Sequence, residues 1–161
     1  MIVVADTSVI LNLCRVQHEH LLPQLFKRVL IPAEVADEFT RLTKIHARFS
    51  GLVLPDWIEI LPAPASFPVE VIQAELDAGE AAAIALFLKQ KADALLIDES
   101  LGRSVANKLG IRTIGIIRIL IESRDRKLIP SVKILLDRLE NEAGFWIASD
   151  LRLRVLQMAG K

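Results

Sequence analysis

The ten residues MIVVADTSVI at the start of the chain constrain its fold more than any other stretch. Ile2, Val3, Val4 and Ala5 form an apolar run without alternation, as in a strand buried on both faces. Asp6, Thr7 and Ser8 follow at once, and residues 9–13 open a helix. An acid is thereby expected at the carboxyl end of a central parallel strand, where open α/β sheets bind their ligands. The same tripeptide suits plain helix capping by Asp6 or Thr7, so it decides nothing alone.

The rest of the chain repeats this strand-to-helix alternation. Residues 28–31 (RVLI) read as a second strand, with Pro32 as the first residue of a helix that turns Val35, Phe39 and Leu42 to one side. A Pro-punctuated stretch over 50–68 holds an edge strand at 57–61 (WIEIL), and 69–76 form a short helix. Residues 76–91 are the clearest helix, capped by Asp77 or Gly79 and lined with alanines. The apolar run 94–97 (ALLI) also ends in acids, Asp98 and Glu99, and 112–116 (RTIGI) form a further strand. Helices follow over 117–123, 132–141 and 150–158. The pattern specifies a central parallel sheet of four to five strands with helices on both faces. A single domain over 1–161 is expected, with the helical tail from 130 to 161 part of it.

Composition excludes several kinds of protein. Lys+Arg and Asp+Glu balance at 20 each, so nucleic acid would need a local basic patch rather than a whole-molecule field. Cys14 is the only cysteine, which excludes an internal disulfide and a cysteine-based zinc site. His18, His20 and His46 follow no catalytic or ligand spacing and read as surface residues. No apolar run is long enough to cross a bilayer and Met1 leads straight into a strand, so a cytoplasmic protein without a membrane role is expected.

Asp6, Glu38, Glu80 and Asp98 share one placement. Two close apolar strands, and two lie in the first turns of helices that return to the sheet. In a right-handed α/β layout strand carboxyl ends and helix amino ends meet at one edge. Carboxylates gathered there repel unless a cation joins them, and an all-oxygen donor set suits a hard ion, Mg²⁺ or Mn²⁺. Metal-assisted attack of water on a phosphodiester is the natural chemistry.

The pieces VVADTS, IPAEVADEF, LDAGEAAAIAL and LLIDESLGRSVANKLGIRTIG, in that order, resemble the PIN-domain nuclease family and, within it, VapC-like toxins. The tail LIPSVKILLDRL…AGFWIASDLRLRVL is similar to a branch of PIN-like proteins that often accompany a small antitoxin. The resemblance implies a metal held by Asp6, Glu38, Glu80 and Asp98, with Glu99 toward a second ion and Ser8 orienting water or the scissile phosphate. It implies Arg103 and Thr7 as substrate contacts, an RNA substrate, a small antitoxin partner and a homodimer. Arg103 reads equally as a salt-bridge partner of a nearby acid. Arg118 and the run SRDRKLI depart from the branch's pattern without touching the acids. Arg103, Arg118, Arg124, Arg126 and Lys127 are candidates for a basic rim, or for a solvated face.

The resulting expectation is a Mg²⁺-dependent endoribonuclease acting as a toxin. The competing reading is a PIN-like module that binds nucleic acid or protein without cutting. A receiver domain would want a lysine where Gly115 stands, and a haloacid-dehalogenase site would want a second aspartate where Ser8 stands.

Overall fold

A computed structural model describes residues 1–160. Five parallel strands form one sheet: β1 (Ile2–Ala5), β2 (Arg28–Pro32), β3 (Glu59–Leu61), β4 (Ala94–Leu96) and β5 (Thr113–Ile114), in the order β3-β2-β1-β4-β5. The three interior strands carry the unalternating apolar runs, and Val3, Val4, Leu30, Ile31, Leu95 and Leu96 are fully buried. At the edge, β3 is only half-buried.

The order reverses at β1, which pairs with β2 on one side and β4 on the other. Right-handed connections that leave in opposite directions place their crossover helices on opposite faces. The helices α1 (Thr7–Arg15) and α2 (Leu21–Leu25) belong to the β1–β2 crossover, and α3 (Ala33–Ile45) to the β2–β3 crossover. The short α4 (Val69–Gln73) and α5 (Ala78–Gln90) lead from β3 to β4, and α6 (Ser100–Lys108) from β4 to β5. Residues 79–87 of α5 are buried all round; the alanines there let the helix lie close against β1, β2 and β4. After β5 the chain continues through α7 (Ile116–Asp125), α8 (Val132–Arg138) and α9 (Ser149–Ala159), whose Leu120, Leu136 and Val155 join the common core.

The edge strand, the short helix after it and the strand at 94 are shorter than the sequence reading, and three other boundaries differ for a clear local reason. Pro32 closes β2 and occupies the extended N-cap position of α3 instead of its first turn, a place that equally lacks need of an N–H. Strand β5 stops at Ile114 because the Ile116 amide, paired to the Asp98 carboxylate, already begins α7. The single helix expected over 132–141 instead breaks after Arg138 into a π-helical turn, Leu139–Ala143, that ends at Gly144 with φ +72°.

Candidate active site

The strand-order reversal between β1 and β4 opens a crevice at the strands' carboxyl ends. Ala5 pairs with Leu96 across this junction, and the Asp6 amide donates to the Leu96 carbonyl at 2.9 Å. Asp6 and Asp98 therefore leave adjacent strands at nearly the same height. Glu38 arrives on α3 and Glu80 on the first turn of α5, and all four line one cleft of about 670 Å³ with Ser8, Asp77, Glu99 and Arg103.

Each acid is held differently. Asp6 occupies the N-cap position of α1 yet makes no cap hydrogen bond with its side chain. It is only 5% exposed, and its Oδ1 is buried without a protein partner, as are Glu80 Oε2 and Ser8 Oγ. Plain helix capping thus does not account for Asp6. Both Asp98 oxygens accept from the Ile116 amide, at 3.1 and 3.3 Å. Glu80 and Asp77 form a capping box at the start of α5.

The electrostatics agree with crowding. Burial pushes the Asp6 carboxyl up to about 7; the Thr7 amide opposes this, and Glu38, Asp77 and Asp98 reinforce it. Glu80 is raised to about 8 by burial, then by the charges of Asp77 and Asp6. Glu38 is raised by burial and Asp77; Asp98 is raised by burial against the Ile116 amide and Arg103. The Thr7 hydroxyl stands close enough to Glu38 to favour its ionised form, but outside ordinary hydrogen-bond geometry.

Glycines set the approach distances. A Cβ on Gly102 would lie 2.9 Å from Glu80 Oε2 and 2.5 Å from Ile97 Cδ1. One on Gly115 would lie 2.7 Å from both Asp98 Oδ1 and Arg103 Nη1. Arg103 reaches the acid edge this way without closing an ion pair among the described residues. Glu99, exposed at the N-cap position of α6, lines the cleft without capping the helix.

Asp77 is the acid that sequence reasoning missed as a site residue. Its capping role was legible, but only the fold turns that cap into the cleft. The basic candidates separate. Arg103 and Arg118 line a groove that adjoins the acids, together with Arg112. Arg124 lies near the far end of α7, about 12 Å from Ile116 by helical rise, Lys127 follows that end, and Arg126 is paired with Glu122.

An all-oxygen site with buried, unpartnered carboxylate oxygens fits a hard divalent cation. As the side chains stand, no three acid, histidine or cysteine groups among the described residues gather closely enough to hold one ion together. A family model, DUF3368, described as a PIN domain, matches residues 2–161. No curated protein matches the chain.

Proposed function

We propose that this chain, which belongs to the PIN-domain family, is a Mg²⁺-dependent endoribonuclease, Mn²⁺ serving as substitute. PIN domains are a nuclease fold, so hydrolysis of a phosphodiester is the coarse activity; RNA, the metal and the biological role are the finer reading. The observation that carries it is the pair of orphaned oxygens, Asp6 Oδ1 and Glu80 Oε2, in a cleft shared with Glu38 and Asp98. No group among the described residues hydrogen-bonds to them, and burying carboxylates without a partner is costly.

Asp6, Glu38, Glu80 and Asp98 would hold the ion, with Glu99 toward a second. Bound there, a divalent cation supplies neutralisation of charge developing on phosphate and a lower pKa for water. The chain's own groups do the rest. Ser8 Oγ, unpartnered at the cleft, is free to donate to a phosphate oxygen or to orient the attacking water. Arg103, which closes no ion pair among the described residues, offers its guanidinium to the substrate phosphate, which a planar fork suits. Thr7, buried beside Glu38, tunes that acid and is the weaker candidate for substrate contact. The upward-shifted carboxyls release their protons when positive charge arrives, so loading is coupled to pH.

The role we assign is that of a VapC-like toxin, acting as a homodimer and silenced by a small antitoxin. An acid cleft without its cation is a receptor for an arginine, and an antitoxin side chain placed there would block the reaction. Purified free of any partner, the protein should cleave single-stranded RNA with Mg²⁺ or Mn²⁺ and stop with EDTA. Asp6→Asn and Asp98→Asn should each lower the rate by orders of magnitude. Metal-independent cleavage that survives both substitutions overturns the assignment. Co-expressed with its partner, it should copurify with a small protein and be inactive; undiminished cleavage in that complex removes the antitoxin reading.

A second reading, a module that binds nucleic acid without cutting, draws on one observation: the acids as placed do not close on a single point. RNA binding with no cleavage under any divalent cation would select it.

A further inference from the structure

The loop from Gly144 to α9 places an aromatic side chain that is left largely uncovered among the described residues. Phe145 packs against the core and Ile147 is buried, so the residue between them is turned outward: Trp146 is 81% exposed. The loop is fixed at both ends. Gly144 takes the left-handed conformation that ends the π-helical turn, the Phe145 amide donates to the Leu139 carbonyl at 3.0 Å, and the Arg152 amide ties α9 back to Ala148 at 2.9 Å. An indole held out by anchored neighbours on both sides loses little freedom when something covers it.

Trp146 lines the same cleft as Asp6, Glu80 and Asp98. That cleft continues past Asp98, Arg103 and Leu151 into a second groove of about 560 Å³, which carries Arg112 and Arg118. None of these three arginines closes an ion pair among the described residues. One continuous channel thus offers an exposed aromatic surface, an acid cluster and uncommitted guanidinium groups.

We infer that Trp146 is a stacking platform for an unpaired nucleobase of the substrate strand. The inference rests on the nuclease reading of the cleft and adds the residue that meets the bases of the strand. Aromatic side chains bind single strands by stacking on bases of any identity, while cationic groups follow the phosphates. A duplex has its base faces covered and presents none to an indole at the rim. Stacking is tolerant of sequence, so Trp146 positions the strand without selecting a base.

The chain has two tryptophans, so in a Trp57→Phe background the fluorescence reports Trp146 alone. With Asp98→Asn added to suppress cleavage and Mg²⁺ present, a riboadenylate decamer should quench that fluorescence. The same decamer paired to its complement, and an abasic decamer of equal charge, should quench far less. In the otherwise intact chain, Trp146→Ala should raise KM for the single-stranded decamer about tenfold, and Trp146→Phe should restore most of it. Equal quenching by all three oligonucleotides, or none by any, overturns the inference, as does an unchanged KM in Trp146→Ala. If no RNA is cleaved, the catalytic proposal falls, and the fluorescence comparison still decides the role of Trp146.

Discussion

Asp77 and Glu80 close a reciprocal pair at the start of α5: the Glu80 amide donates to Asp77 Oδ1 at 2.8 Å, and the Asp77 amide donates to Glu80 Oε1 at 3.4 Å. The bond that steadies the helix also sets two like charges side by side, and Asp77 is the largest charge contribution raising Glu80. These roles separate by substitution. Asp77→Asn keeps a good N-cap and removes the charge, so it should match or exceed wild-type stability at pH 8 without metal. Asp77→Ala removes the charge and the cap together and should be about 1 kcal/mol less stable than Asp77→Asn. Chemical denaturation in EDTA reads the difference; equal stability of the two variants would mean that the cap contributes nothing.

The raised carboxyls fix the direction of a pH dependence. Asp6 has its pKa pushed from the ordinary 3.8 to about 7 in the folded protein, and Glu80 also moves upward. Between the unfolded and folded values the native state binds more protons than the unfolded chain. Metal-free stability should therefore fall as pH rises from about 4 to about 7, by up to about 4 kcal/mol for Asp6 alone. Asp6→Asn should flatten that slope. Denaturation midpoints across this range, taken in EDTA, provide the check, and a wild-type slope that persists in Asp6→Asn would exclude Asp6 as its origin.

The central sheet and four of the acids were legible because they depend on local signals. A strand buried on both faces must be apolar without alternation, and an acid ending such a run stands out, as at Asp6 and Asp98. What escaped depended on distant packing. Asp77 was visible as a cap, but whether a cap faces solvent or other acids is decided by where α5 lands on the sheet. Arg118 and Arg124 are near neighbours in sequence, yet α7 carries them into different grooves, Arg118 beside Asp98 and Arg124 near Pro130. The outward turn of Trp146 goes with the inward packing of Phe145 and the burial of Ile147, which only the folded chain reveals.

Gly115 offers a test of how tightly Asp98 and Arg103 are placed. Its backbone is extended, with φ −92° and ψ 174°, so alanine is not strained there. The added Cβ would nevertheless lie 2.7 Å from both side chains, one of them tethered to the Ile116 amide. Arg103 is the freer of the two and should move. Gly115→Ala should fold with a melting temperature close to wild type and lose about tenfold or more in RNA cleavage, since small misplacement of catalytic groups is expensive. Full activity would show that the Arg103 position is not needed.

Cation binding to the acid cluster can be read without knowing the substrate. An ion that binds only the folded protein stabilises it by about 2.7 kcal/mol at a hundredfold excess over its dissociation constant. Protons compete for the same oxygens, because Asp6 and Glu80 are protonated in the metal-free protein at low pH. The Mg²⁺-induced rise in Tm should therefore be large at pH 8 and small at pH 5.5. Asp98→Asn keeps an oxygen acceptor for the Ile116 amide while removing one charge from the cleft, so its metal-free form should be at least as stable as wild type at pH 7. Most of its Mg²⁺ response should be gone. Eight melting curves suffice: two proteins, two pH values, each with and without Mg²⁺. If Asp98→Asn melts well below wild type without metal and gains just as much from Mg²⁺, Asp98 serves only to hold the start of α7. The ion would then bind elsewhere, and the acid cluster would lose its claim to be the catalytic centre.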